Sequence, residues 1–318
     1  MFFFLGDWFE NRSALNIATL NFAYQGAKRL NNLGLPVYFC IGNHDLYHRH
    51  TRDIHSIIPY QEFSNFILIN DPTVVSSIGN GVLLCPYLFH HEYDDLKKYF
   101  NIPIWAGHFE FQGFTVTGHG IKMQTGPNPK QFGGPKGPKH IFSGHFHKRQ
   151  QQDNIQYIGN VFPMDFGDVG DVNRGMMVYD YTVDNIKFIN WPDCPQYVKA
   201  KYTDILDGTV NIPLESRVRC IMDDPSASYE EVMFVRATWI EKFNLREFIM
   251  EETSDFADAL SDTTTTVDVN GVEITTTVDS IGTEIHTFDE LVVKMLQDIK
   301  SEHIDNTLLV EQYRKIPS

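Results

Sequence analysis

Four short stretches each place a glycine just before a residue that can offer oxygen or nitrogen to a metal ion. They are Gly6-Asp7 in LGDWFENR, Gly42-Asn43-His44-Asp45 in IGNHD, Gly107-His108 in WAGHFE, and Gly144-His145-Phe146-His147 in FSGHFH. Carboxylate, amide oxygen and imidazole form a mixed N/O donor set suited to Mn, Fe or Zn, and none of the four stretches offers a thiolate. Glycine permits the tight turn out of a strand and lets an ion or phosphate approach the backbone closely. One such dipeptide carries little weight, because GD and GH recur by chance and a lone histidine is more often structural than a ligand. Four of them, each after an apolar β-type run, point to one site built at strand ends.

Each stretch needs an element to aim it. Phe2 to Leu5 reads as an aromatic strand ending at Gly6. Ser13 is the expected cap of a helix whose apolar face runs Leu15, Ala18, Phe22, Gly26, Leu30, Leu33, stopped by Gly34 and Pro36. VYFCIG (37–42) is the next strand, so a strand–helix–strand unit sets Asp7 and Gly42 at equivalent strand ends. Further strands are expected at 82–85, 102–106, 114–117, 140–143, 155–159, 176–181 and 185–191. Residues 126–138 form a Gly/Pro loop.

The pattern shifts near 192–200. RVRCIMD (217–223) reads as a strand, and the following SYEEVMFVRATWIEKFNLREFIMEE mixes helix and strand signals, as in a small α+β domain. The Thr-rich 263–278 segment fits either a hairpin closed by Asn270-Gly271 or a disordered acidic linker. Thr287 and Glu290 form a capping box before ELVVKMLQDIK, and TLLVEQYRK (307–315) reads as a second short helix. Their apolar stripes suit docking on a partner or packing on the same chain. The organisation expected is thus a catalytic domain over 1–197, a small α+β cap over 198–260, and a linker with helical hairpin over 261–318.

The net charge is −15, but it is unevenly spread. Residues 251–318 hold 15 acidic and 4 basic side chains. From Phe111 to Gln152 there is no Asp or Glu, against Lys122, Lys130, Lys136, Lys139, Lys148 and Arg149. Such a stretch fits a phosphate-facing rim or a solvated lysine-rich loop. The four scattered cysteines form no CxxC pair and read as reduced thiols. No apolar run approaches the length of a membrane helix and MFFFLG lacks a basic leader, so a cytoplasmic protein is expected.

The order GD…GNHD…GH…GHxH resembles the calcineurin-like metallophosphoesterase superfamily. Within it, LGDWFENR, IGNHDLYHR, GHFEFQGF and FSGHFHKR resemble the SbcD/Mre-eleven nuclease family, bacteriophage recombination endonucleases in particular, over about 1–195. The resemblance implies a four-layer α/β/β/α sandwich, two divalent metal ions (Mn among the candidates), and a DNA nuclease acting at double-stranded ends. It also implies a partner ATPase of the SbcC/Rad-fifty type, a homodimer, and a host cytoplasmic location for a phage-encoded member. Carried over by position, Asp7 bridges the metals. Asn43, His108 and His145 complete one shell, and His147 serves the other. His44 then donates a proton to the leaving group, and Asp45 orients it. Lys122, Lys148 and Arg149 are candidate substrate contacts. A shared carboxylate offsets the repulsion of two close cations, which together acidify a water and clamp phosphate oxygens.

One departure stands out. The family's first motif, Asp-x-His, has no counterpart before Asp7, so the second metal is left with Asp7 and His147. The expectations are a start assigned too late, a fragment or split gene, or a true loss of that metal. Two other functions stay open: a phosphatase of the same superfamily, disfavoured because those resemble GDxVDRG and GNHE where this chain has GDWFENR and GNHD, and a scaffold without activity.

Overall fold

The computed structural model describes residues 1–116, 120–133, 136–252, 264–267, 273–276, 307, 310 and 314. Phe2–Phe4 (β1), Val37–Cys40 (β2) and Phe66–Ile69 (β3) pair in parallel in the order β1-β2-β3. Parallel neighbours need a crossover, and helix α1, Ile17–Asn32, provides it between β1 and β2. A second sheet comprises Thr73–Val75 (β4), Val82–Cys85 (β5), Ile104–Gly107 (β6), His140–Ser143 (β7), Gln150–Gln152 (β8) and Ile155–Tyr157 (β9). Its order is β4-β5-β6-β7-β9-β8, with a parallel centre and antiparallel outer strands. The chain is a mixed α/β protein with parallel sheets, as its alternation of short strands and a helix suggests.

Both faces of these strands are apolar, and alternate residues feed different cores. Val37 and Phe39 join Phe2, Phe4, Ala27 and Tyr60 in one cluster. Cys40 joins Leu5, Ile69, Leu84, Ile104, Ala106 and Phe142, so residues of both sheets share a second cluster. Leu83, Cys85, Trp105 and Ile141 point the other way, onto Tyr93 and Leu96 of the 3-10 segment His90–Tyr99 and onto Phe109, Phe111 and Phe132. Burying each large apolar side chain contributes about 1.5–3 kcal/mol.

Three local expectations change. The cap of α1 is Asn16, whose side chain accepts the Thr19 N–H at 2.8 Å; Ser13 lies outside the helix. The buried face is formed by Ala23, Ala27 and Leu30, while Phe22 is 76% exposed. The sheet beneath supplies bulk (Phe2, Phe4, Phe39 and Trp8), so the helix contributes small residues, and Gly26 sits over the Trp8 ring. Residues 114–116 do not form a strand. Gln150 satisfies both Thr115 backbone groups instead, accepting its N–H at 2.8 Å and donating to its carbonyl at 2.7 Å. Residue 117 is outside the described residues.

Gly175–Asp180 (β10) and Asn185–Asn190 (β11) form an antiparallel ribbon. Tyr197–Lys201 (β12), Arg217–Met222 (β13) and Glu247–Glu252 (β14) form a three-stranded sheet, with helices Tyr202–Leu206 (α2) and Tyr229–Phe243 (α3) between them in sequence. By contacts the chain divides into two compact units. One comprises Met1–Ala200, Val210–Arg219 and Met233–Ile249; the other comprises Lys201–Thr209, Cys220–Val232 and the chain from Met250. Thr264–Val267 (β15) pairs antiparallel with Glu273–Thr276 (β16), while Asn270-Gly271 between them lies outside the described residues. So do the capping box at Thr287 and Glu290 and most of the expected terminal helices. All four cysteines are free and buried. Among the described residues no helix is long and apolar enough to cross a membrane.

Candidate metal centre

The parallel registers bring the four glycine-led turns together. Gly107 sits opposite Cys85 on one side and Ser143 on the other, so His108 and Gly144 leave their strands side by side. Phe4 sits opposite Phe39, so Gly6-Asp7 and the loop after β2 also leave together. Two glycines are required by close approach. Gly6 has φ +93°, and a Cβ there would strike the His108 ring; a Cβ on Gly42 would overlap the Asp7 amide and carboxylate. Asp7 and His145 themselves hold left-handed backbones, with φ 59° and 80°. Such conformations cost about 1–3 kcal/mol each and persist when surrounding bonds over-determine them.

Those bonds are present. Asp45 is 1% exposed. Its Oδ2 accepts the N–H of Asp7 (2.9 Å) and Gly42 (2.8 Å), and its Oδ1 accepts those of Trp8 (2.9 Å) and Phe9 (3.4 Å). The Asp45 side chain thus ties the β1 turn to the β2 turn. Asp7 Oδ1 in turn accepts the His44 N–H at 2.8 Å.

The donor atoms then converge. His108 Nε2 lies 2.9 Å from Asn43 Oδ1, 3.1 Å from His145 Nδ1 and 3.1 Å from Asp7 Oδ2. His145 Nδ1 is 3.0 Å from Asn43 Oδ1. Asp7, His108 and His145 offer ligand atoms that all lie within 4.8 Å of one another, so this cluster could bind a metal. The far nitrogen of each imidazole is engaged elsewhere. His108 Nδ1 donates to the Leu5 carbonyl at 2.7 Å, which leaves Nε2 of the neutral ring without a proton. His145 Nε2 faces Glu110 Oε2 at 3.5 Å. When both rings are neutral and the His145 proton is on Nε2, carboxylate, amide and imidazole lone pairs meet at one point. A cation is what such a set accommodates, so these residues fit a divalent metal.

Charge in the site follows from burial and proximity. Burial opposes ionisation of Asp7, but the His108 charge and hydrogen bond, with the His44 N–H, outweigh it and hold Asp7 down at about 2. Burial, then the neighbouring Asp7 charge, pushes Asp45 up to about 7 against its backbone donors. His108 is pulled down by burial but lifted above its ordinary value by Asp7 and the Leu5 carbonyl, whereas burial keeps His145 below its own. Contact with His145, against burial, holds Glu110 down at about 2.

The other expected residues lie outside this cluster. Asp45 does not orient the His44 ring, because its carboxylate is taken up by the four backbone N–H groups. Instead, His44 Nδ1 donates to the Glu10 carbonyl at 2.7 Å, with the Glu10 carboxylate 3.8 Å away. His147 is outside the converging cluster; its ring has no polar partner among the described residues, while its carbonyl accepts the N–H of Asn160 at 2.9 Å. Lys122 and Lys148 are exposed. Arg149 is tied down: its guanidinium lies 3.9 Å over the Phe188 ring and Nη1 donates to Asn190 Oδ1 at 2.9 Å. Phe109, Phe111 and Phe146 are core residues, at 0%, 0% and 2% exposure.

Two residues went unread in the sequence, Glu10 and Glu110. For Glu110 a signal existed. In the extended run His108–Phe111, Phe109 and Phe111 face the core, so His108 and Glu110 share the opposite face.

No protein family model matches the chain. The chain is similar to Exonuclease subunit 1 of Enterobacteria phage T4, being 27% identical over 188 residues. The match covers 58% of this chain and 54% of that protein, so the chain spans about half the length of this curated relative.

Proposed function

We propose that this chain is an SbcD-like nuclease subunit that hydrolyses DNA phosphodiester bonds at a divalent-metal centre formed by Asp7, Asn43, His108 and His145. The observation that carries the reading is the convergence of these donor atoms, with the far nitrogen of each imidazole held by a non-metal partner. Distant similarity to a phage exonuclease subunit supports the nuclease class and, through the word subunit, a partner chain. Separate apolar clusters on the two faces of the sheets are what a four-layer α/β/β/α sandwich would need.

A divalent cation bound here would neutralise phosphate oxygens and acidify a water for attack. The chain's own residues do the rest. Asp7 presents one carboxylate oxygen to the centre and uses the other to fix the His44 backbone. His44 has Nδ1 committed to the Glu10 carbonyl, so Nε2 is its proton-exchanging atom, suited to protonating a leaving oxygen. Asp45 holds the two turns at the spacing the centre needs.

A Mn2+-dependent assay on linear duplex DNA tests this, alongside bis-p-nitrophenyl phosphate and p-nitrophenyl phosphate. Cleavage of DNA and the diester but not the monoester, lost in His44→Ala, is the expected result. Preference for the monoester would favour a phosphatase. Metal binding without cleavage of any substrate would favour a scaffold.

A further inference from the structure

Glu110 is a carboxylate in contact with a proposed ligand imidazole but not itself aimed at the donor cluster. Its Oε2 lies 3.5 Å from His145 Nε2, the ring atom opposite the one that meets His108 and Asn43. Three groups hold it there. Thr125 donates its hydroxyl to Oε1 at 3.0 Å, and Tyr87 donates its own to Oε2 at 3.3 Å. The Glu110 N–H donates to the Tyr93 hydroxyl at 2.8 Å, fixing the backbone. The Glu110 side chain is 12% exposed and the His145 side chain 11%, so solvent does little to loosen their contact.

A neutral imidazole carries one proton, and a carboxylate without a proton of its own can only accept. Glu110, 3.5 Å from Nε2, favours the proton there and leaves Nδ1 bare, against Asn43 Oδ1 and His108 Nε2, which would accept a proton from Nδ1 at 3.0 and 3.1 Å. His108 is the mirror case: the Leu5 carbonyl takes Nδ1–H and Nε2 is bare. Two ligands thus use opposite ring nitrogens, each selected by an acceptor behind it. We propose that Glu110 is a positioning residue that fixes the His145 tautomer and ring so that Nδ1 is the metal-ligating atom. This rests on the metal reading above. The outer carboxylate raises ligand basicity and removes the cost of switching tautomer on binding.

The test is made on the full chain labelled with 15N-histidine, metal-free at pH 8, by long-range 1H–15N correlation, with His145 assigned through His145→Gln. Wild type should show His145 as the Nε2–H tautomer, a reading that needs no variant. Glu110→Ala should shift His145 toward a mixture. Glu110→Gln, whose amide oxygen still accepts, should keep the wild-type pattern. Mn2+ titration by calorimetry should show affinity about tenfold to hundredfold weaker in Glu110→Ala and within about threefold of wild type in Glu110→Gln. A purely structural role would lower the metal-free unfolding temperature without splitting Ala from Gln in tautomer. An Nδ1–H tautomer in wild type, or a Glu110→Ala protein with unchanged tautomer and affinity, would overturn the proposal. Absence of Mn2+ binding by wild type would instead overturn the metal reading, with the tautomer still deciding what Glu110 does.

Discussion

Two sides of the same strand-end surface are built by different means. On the Asp7–Asn43–His108–His145 side, side-chain atoms are held: both rings have an acceptor behind them, and the Asp7 carboxylate is gripped from two directions. On the His147 side, the backbone is held and the side chain is not. Arg174, 1% exposed, pairs with Asp168 at 2.9 Å and Asp171 at 3.1 Å and reaches the carbonyls of Phe162 (3.3 Å) and His147 (3.5 Å). The first side is a preformed cluster of donor atoms that could hold a metal. The second is an anchored loop that leaves an imidazole without a polar partner. Side-chain bonds are thus invested in one half, which predicts that a divalent cation binds there more tightly than at His147.

The largest effect should come from the loop's anchor. Arg174→Met leaves the buried Asp168 and the half-buried Asp171 without their cation, and breaking a buried pair costs about 3–5 kcal/mol. Urea unfolding should show that loss, while Mn2+ affinity at the first side changes little in the folded fraction. If affinity and stability fall together, the two sides are not separate. Next comes the contrast between ligands. His108→Ala should weaken Mn2+ binding about 100-fold or more, beyond the range of outer-shell changes. His147→Ala should leave the strongest site within about threefold. Equal losses in calorimetry would erase the distinction. Gly42→Ala then probes the backbone: its methyl must displace Asp7, costing about 1–3 kcal/mol as overpacking and weakening metal binding as well.

Protons sharpen the comparison further. His108 has a folded pKa above its ordinary 6.5, through Asp7. A raised folded value stabilises the metal-free protein fully below the unfolded pKa, and that share is lost as pH rises through the folded one. Metal binding runs the other way, because the cation needs the Nε2 lone pair that the proton occupies. Below the His108 folded pKa, Mn2+ affinity should fall about tenfold per pH unit, or about 1.4 kcal/mol. His147→Ala should keep that slope, since His147 is not part of the cluster.

The first side was the legible one, for a physical reason. A turn that must bring backbone and ligand together at close range needs glycine, and Gly6 and Gly42 mark where. Strand ends can be read from apolar runs such as VYFC and VLLC. FILI at 66–69 went unread, because a short apolar run does not distinguish strand from buried helix without flanking signals. The face of α1 was read correctly at Leu15 and Leu30 and misread at Phe22 and Leu33, since aromatics beneath the helix had already filled the space. Glu110 and Glu10 act through tertiary proximity and carry no local motif. For His147, two residues past His145, the motif gives the spacing but not which way its ring is held.

The smallest effect concerns His44, the residue whose orientation the structure reassigns. Its Nδ1–H donates to a backbone carbonyl, which no substitution at Glu10 removes. What Glu10→Ala removes is a carboxylate 3.8 Å from a ring whose side chain is 34% exposed, the Glu10 side chain being 63% exposed. Exposed pairs of this kind contribute about 0–1 kcal/mol and are screened by salt. Diester hydrolysis by Glu10→Ala should therefore stay within about threefold of wild type, with the difference shrinking as salt rises. Asp45→Asn is the contrasting case. Its amide would place N–H groups against backbone N–H donors, for a stability cost of about 1–3 kcal/mol and a displaced Asp7. If Glu10→Ala instead abolishes turnover while Asp45→Asn is tolerated, the Glu10 carboxylate, and not the backbone bond, sets the His44 ring.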